Sequence, residues 1–428
     1  MAVGFLAAPD PKEHLAPYLA LVLAGAVTSL LAAGILSASS LGFLLFCGAL
    51  LRATLLLRAP ALSDDAFRYL WDGRVGAEGI SAYAFAPDDS AVSWVDPDLN
   101  GRVAHRDIRS VYPPVAQAAF RVFGRRGGLF AWKTFAAAAD LSVVALLAEA
   151  GGQGAGFAAA LYAFHPLPVT EAAGEGHVDS LGVALLLACL AHLARRRRAI
   201  AGVAFAMSAL TKYVCLAAAI PLLRRGRCKF LAAAAAAAAV LWLAASRPGA
   251  SPLGGIGPYA TRWDFNSPAY AAASLLMDAT RLPEAAKDVF VDLKERHRNP
   301  DWTQAVFPYF YSAFFARALL AAVLAAALLL IALRVRDLEA AVLASLAALL
   351  LLSPTLYPWY LLWLLPFAAR RREPAFLFLC FSAPLSYALL YPLPGISREL
   401  VYAFEFGPFV LLLAWMLLRS APRLRTAD

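Results

Sequence analysis

Six long apolar runs constrain this chain more than any other feature: Leu15 to Leu36, Phe130 to Ala148, Val178 to Ala194, Phe230 to Ala245, Phe314 to Leu333 and Val401 to Leu418. A helix that crosses the hydrocarbon of a bilayer needs about 20 mostly apolar residues, because its backbone groups find hydrogen-bond partners only within the segment. Runs of this length, in a chain of 428 residues that is 61% hydrophobic and 16% charged, exclude an ordinary soluble domain. The expected fold is an all-α polytopic membrane protein.

The formal net charge of +9 raises nucleic acid as a partner, and its distribution excludes it. Arg195 to Arg198, Arg224 to Lys229, Arg334 to Arg336, Arg370 to Arg372 and Arg419 to Arg425 each follow or separate apolar runs, as cytoplasmic loops do. Spans alternated backward from a cytoplasmic C-terminus put every cluster on one side. Three polar loops then lie outside: Ala61 to Gly128, Gly174 to Val178 and Arg247 to Gln304.

Ile200 to Leu223 is bounded by basic clusters at both ends, so it must enter and leave on one side, as a re-entrant pair or two short helices around Thr211-Lys212-Tyr213. Leu41 to Leu57 crosses outward with Arg52 inside it. With Leu15 to Leu36 as a retained anchor, the N-terminus is outside and the total is about 11 to 13 helices in one domain. The cysteines show neither pairing nor metal spacing. In the third loop, Leu282, Ala285, Ala286, Val289, Phe290 and Leu293 recur at helical spacing, which predicts an amphipathic helix along the membrane surface or packed on the loop.

The first external loop opens with Ser63-Asp64-Asp65-Ala66-Phe67-Arg68-Tyr69-Leu70-Trp71-Asp72-Gly73-Arg74. Two adjacent carboxylates at the edge of a span are costly, since desolvation and like charge both disfavour ionisation. Asp64 or Asp65 suits a general base with Arg68 and Arg74 as charge partners, the preferred reading; a helix cap by Asp64 or Ser63 is the alternative. Gly79-Ile80-Ser81-Ala82-Tyr83 and Val111-Tyr112-Pro113-Pro114 follow.

The acidic pair, the aromatic Phe67, Asp72-Gly73, the Gly-x-Ser-x-Tyr and the Tyr-Pro-Pro together resemble the GT-C superfamily of membrane mannosyltransferases. The resemblance is to the bacterial polyprenyl-phosphate-mannose-dependent enzymes and, more distantly, to the GPI mannosyltransferase that adds the first mannose. That eukaryotic family carries Asp-x-Asp where this chain has Asp64-Asp65-Ala66, so Asp64 is the residue that aligns. His165-Pro166, Glu171, Gly176-His177-Val178-Asp179, Thr211-Lys212, Tyr259 to Asn266 and Ser353 to Tyr360 are also similar to family patterns.

The resemblance implies a sugar carried on polyprenyl phosphate, a glycolipid or glycan acceptor, a membrane lipid environment and an active site on the outer face of a bacterial inner membrane. Catalysis by Asp64 and Asp65 is then expected, with Arg68, Asp72, Arg74, Tyr83, Tyr112, Glu171, His177, Asp179, Lys212, Tyr259, Arg262, Trp263 and Tyr357 around the substrates. Lys133, Lys212, Arg262 and Arg398 lie in or beside spans, where a phosphate partner or snorkelling to headgroups explains a charge; snorkelling suits Lys133 and Arg398. Lys212 lies too deep for that and is expected to pair with an acid inside the bundle.

His177 and Asp179 form a possible pair, and with Asp64 a possible divalent-cation site, although no cofactor is expected. Tyr259, Trp263, Tyr357, Trp359 and Tyr360 suit a sugar ring or acyl chain, although for Trp359 and Tyr360 an interfacial belt is the preferred reading. The leading expectation is inverting hexose transfer, most simply of mannose. The alternatives are a transporter or flippase with a polar path through Asp64, His177 and Lys212, and an acyltransferase using His177 with Asp179.

Overall fold

The computed structural model describes residues 10–152, 154–247, 250, 253–296, 306 and 309–420. Among them every regular element is helical, and one isolated parallel bridge pairs Phe265 with Thr355. Five helical stretches are long and apolar enough to cross a membrane: Leu15–Leu36, Gly128–Glu149, Tyr213–Ala245, Ser312–Arg334 and Arg398–Arg419. Shorter apolar helices accompany them, and the chain is a multi-pass membrane protein. Residues 248, 249, 251, 252 and 297–304 of the expected third loop, and Arg423 and Arg425 of the C-terminal cluster, lie outside the described residues.

Two compact units are present, residues 1–257 with 357–428 and residues 258–356. The first begins with α1 (Leu15–Leu36) and α2 (Leu41–Leu56), whose cap residue Ser40 accepts the Phe43 N–H at 3.3 Å. Next come α3 (Asp65–Ala77) and α4 (Pro114–Arg126), then α5 (Gly128–Glu149), α6 (Ala155–Phe164), α7 (Asp179–Ala194), α8 (Arg198–Ala209) and α9 (Ala219–Ala245). Pro114 opens α4, where a missing N–H costs nothing and the fixed φ is already helical.

The first expected external loop is thus a compact helical pair with a core of its own. Trp71, Val75, Val92 and Val103 pack together, and Tyr69, Phe120 and Trp132 join a second cluster. Close approach of α3 to α4 depends on two glycines. A Cβ on Gly73 would fall 2.0 Å from the Phe120 carbonyl oxygen, and one on Gly124 would fall 2.6 Å from the Gly73 carbonyl carbon. Both obstacles are backbone, so Gly73→Ala is expected to destabilise the protein by about 1–3 kcal/mol, read as a lower unfolding temperature in detergent.

Arg52, the charge inside α2, is buried and paired with Asp140. Its Nε lies 2.7 Å from Asp140 Oδ2, and its NH1 group donates to the carbonyls of Gly48 and Ala163 at 3.0 and 2.9 Å. Asp140 Oδ1 accepts from Tyr162 Oη at 2.8 Å and Ser180 Oγ at 2.9 Å. One ion pair therefore ties together α2, α5, α6 and α7.

Lys133 does not snorkel. It is buried and donates to the Leu55 carbonyl at 2.7 Å and to the Arg58 carbonyl, so two carbonyls at the end of α2 satisfy the ammonium locally. The expected break at 211–213 is present: α8 stops at Ala209, Lys212 is extended, and a 3₁₀ turn runs Tyr213–Ala218. The Arg224 to Lys229 cluster, expected as a loop, lies within α9 at a kink where Arg227 has φ 58°.

In the second unit, α10 (Pro268–Thr280), α11 (Leu282–Arg296), α12 (Ser312–Arg334) and α13 (Leu338–Leu352) are helical, and Ala273, Met277, Ala316 and Leu320 form their core. On α11, Phe290 meets Phe310 with ring centroids 4.9 Å apart, while Leu282, Val289 and Leu293 stay exposed. The first unit resumes at Tyr357 and ends in α14 (Arg398–Ser420).

Candidate active site

The acidic pair falls at the start of α3, and the two carboxylates part company there. Asp64 is the residue before the first helical turn; it is exposed, and its side chain makes no cap hydrogen bond. The local cap is Ser63, whose Oγ accepts the Asp65 N–H at 3.3 Å. Asp65, one residue on, turns inward. Its Oδ2 accepts from Tyr69 Oη at 3.3 Å and Tyr112 Oη at 3.2 Å and lies 3.7 Å from His177 Nδ1.

About a third of the Asp65 side chain, 32%, remains accessible, so the carboxylate is enclosed yet reachable. Burial raises its pKa above the ordinary carboxylate value; the Lys212 ammonium and the Tyr112 hydroxyl oppose the shift, and Asp179 adds to it. Burial and the Asp65 charge push both Tyr69 and Tyr112 far up, so each stays a hydroxyl donor.

Helical spacing explains half of this arrangement, since Asp65 and Tyr69 share a face of α3. The other half comes from the Gly-x-Ser-x-Tyr and Tyr-Pro-Pro segments. Tyr83 donates to the Tyr112 carbonyl at 2.8 Å, and the Ser110 N–H donates to the Ala82 carbonyl at 3.0 Å. Behind them, Asp72 accepts from Arg68 Nε at 2.8 Å, Gln117 Nε2 at 2.9 Å and Ser110 Oγ at 2.5 Å. Asp72 and Arg68 thus brace the loop that carries Tyr112. Arg74 pairs with Asp96 at 3.0 Å.

The second group comes from the turn after a π-helical segment, Val169–Gly174. Gly176 sits at φ 78°, where a Cβ would lie 3.2 Å from Trp132 Nε1 and 3.3 Å from Lys133 Cγ; Trp132 Nε1 also donates to the Gly176 carbonyl at 2.7 Å. His177 follows with its ring fully buried. Its Nε2 lies 3.4 Å from Glu171 Oε2, and Glu171 accepts from Tyr387 Oη at 3.0 Å. Burial, reinforced by the Lys212 ammonium, pushes the His177 pKa down. Its contacts with Asp65 and Glu171 are therefore those of a neutral imidazole beside two carboxyl groups.

His177 stacks on Trp359 at 4.0 Å, and Trp359 stacks on Tyr357 at 4.4 Å. Trp359 is 5% exposed with both faces covered, which places it in the interior instead of in an interfacial belt. Asp179 does not pair with His177. It holds Lys212 Nζ at 2.8 Å from both carboxylate oxygens and accepts from Trp363 Nε1 at 2.8 Å. The ammonium lies 4.2 Å from the Tyr360 ring centre. With Asp64 exposed and Asp179 committed to Lys212, the suggested cation triad does not assemble; among the described residues no group of three His, Cys, Asp or Glu suits a metal.

Asp65, Arg68, Asp72, Tyr83, Tyr112, Glu171, His177, Asp179, Lys212 and Tyr357 all belong to the first unit. Tyr259, Arg262 and Trp263 lie in the second unit, where Tyr259 and Trp263 pair at 5.3 Å and Arg317 donates to the Trp263 carbonyl at 3.1 Å. Sequence reasoning overlooked Tyr69 and Tyr387 as partners of the carboxylates. The i, i+4 spacing of Asp65 and Tyr69 offered a signal for the first. Nothing in the apolar run around Tyr387 offered one for the second.

Residues 15–224 match the family model of the alpha-(1→6)-mannopyranosyltransferase N-terminal domain. No curated protein and no solved structure matches the chain. The matched stretch contains the acidic pair, the Tyr112 loop, the Glu171 to Asp179 turn and Lys212; it stops short of Tyr259, Arg262, Trp263 and Tyr357.

Proposed function

We propose, from the premise that this chain belongs through residues 15–224 to the alpha-(1→6)-mannopyranosyltransferase family and is a GT-C mannosyltransferase, that Asp65 is the general base of an inverting transfer from polyprenyl-phosphate mannose. The acceptor is a glycolipid or glycan, and the site opens on the outer face of a bacterial inner membrane. The observation that supports this reading best is the Asp65 carboxylate, held by two tyrosine hydroxyls, beside a buried imidazole and still a third accessible.

In the proposed step the Asp65 carboxylate takes the proton of an acceptor hydroxyl. The hydroxyl oxygen bonds to the anomeric carbon as the bond to the lipid phosphate breaks, and the phosphate departs with the bonding pair. In-line attack with one base inverts the anomeric centre. Tyr69 and Tyr112 fix the direction of the carboxylate, and His177 with Trp359 and Tyr357 forms the wall beside it. Lys212 supplies a positive charge near Asp65, already balanced by Asp179. Arg68, Asp72 and Tyr83 act by bracing the Tyr112 loop, and Asp64 stands at the entrance.

A base works only when ionised, and the Asp65 pKa is raised. Transfer should therefore fall as pH drops through that value, starting above the range of an ordinary carboxylate, at about 4. The test is labelled polyprenyl-phosphate mannose supplied to membranes carrying the chain, with the product digested to identify the linkage over a pH series. Gain of one α-(1→6) mannose, lost on the acid side, is the expected result. Mannose lipid accumulating inside vesicles without covalent product would select transport and remove the reading.

A further inference from the structure

The turn that presents His177 to Asp65 also presents Glu175 to the backbone in front of Asp65. Glu175 is 5% exposed, and its Oε2 accepts three successive N–H groups, Ala61 at 3.1 Å, Leu62 at 3.0 Å and Ser63 at 3.0 Å. Three consecutive amides converging on one carboxylate oxygen form an anion-binding concavity made by the chain for its own side chain. Leu62 and Ser63 are themselves buried, so without Glu175 their N–H groups lose their partner in a place water reaches poorly.

We infer that Glu175 is a positioning residue for mannosyl transfer: by fixing the backbone of residues 61–63 it sets where Asp65 meets Tyr69, Tyr112 and His177. The inference rests on the reading of Asp65 as the base. One turn thereby holds Asp65 from both sides, Glu175 through the main chain before it and His177 beside its carboxylate, and Gly176 at positive φ allows the two side chains to diverge. Burial pushes Glu175 up to about 7, against the three amides and the Lys133 ammonium. Glu175 lines a small cavity together with Tyr18, Leu55, Arg58 and Thr170.

The test compares Glu175→Ala and Glu175→Gln in the full chain in proteoliposomes, with polyprenyl-phosphate mannose as donor. Glu175→Ala is expected to lower kcat by about 10–10²-fold, the scale of a small misplacement of a reacting group, with KM for the donor nearly unchanged. Glu175→Gln keeps an acceptor oxygen and the side-chain volume, so it should recover most of the loss. Hydrogen exchange at the amides of 61–63 should accelerate in Glu175→Ala alone.

Combined with Asp65→Asn, Glu175→Ala should cost nothing further, since both act through one carboxylate. Unchanged exchange at 61–63, or losses that multiply in the double variant, would overturn the inference. If Asp65→Asn keeps full transfer, the base reading fails by itself, and faster exchange with recovery by Gln then decides the role of Glu175. If Glu175→Ala does not reach the membrane, Glu175→Gln with wild-type exchange but a loss of kcat of about 10–10²-fold would equally sink it.

Discussion

Asp65→Asn should lower mannosyl transfer by about 10²–10⁴-fold, the usual contribution of a general base, while Asp64→Asn should leave most of it. The contrast follows from where the two adjacent residues point. Asparagine at 65 preserves an oxygen that accepts from Tyr69 and Tyr112, so the local geometry survives and the proton acceptor is lost. Asp64 is exposed and has no cap bond to lose. Single-turnover transfer with saturating labelled donor separates the two, because donor binding is then complete in each variant. Near-full transfer by Asp65→Asn would end the assignment, and a large loss confined to Asp64→Asn would transfer the role to its neighbour.

The second large effect lies within the membrane. Arg52→Leu should destabilise the first unit by about 3–5 kcal/mol, because it leaves a buried carboxylate without its counter-charge. Asp140 would keep Tyr162 and Ser180 as donors, which are too weak to compensate. Replacing both members, Arg52→Leu with Asp140→Leu, should cost less than Arg52→Leu alone, since no unpaired charge remains. Unfolding temperatures in detergent decide it; a double variant less stable than the single would contradict this account of the pair.

Much of this was legible in the sequence for a physical reason: bilayer solvent imposes length and apolarity on every span, and both can be read residue by residue. The break at Thr211-Lys212 and the internal pairing of Lys212 followed from the same logic. What could not be read was the partnership of buried charges. Arg52 finds Asp140 88 residues away, and Lys212 finds Asp179 instead of leaving Asp179 to His177; such choices depend on how helices cross, which no local pattern encodes.

Within the site, the motif drew attention to the acidic pair and the family comparison to Asp64. Which carboxylate turns inward is set by how α3 is rotated against Tyr112 and His177, which adjacent identical residues do not reveal. Glu175 escaped notice because its partners are main-chain amides, which carry no side-chain signature.

The stacking of His177 on Trp359 limits how the imidazole can move beside Asp65. Covered on one face by an indole and buried all round, the ring has no room to swing, so the aim of Nδ1 toward Asp65 and of Nε2 toward Glu171 stays fixed. What remains free is the tautomer. Neither ring nitrogen closes a hydrogen bond, with Nδ1 3.7 Å from Asp65 and Nε2 3.4 Å from Glu171, so whichever nitrogen carries the proton, a buried donor faces a carboxyl group without a hydrogen bond of its own.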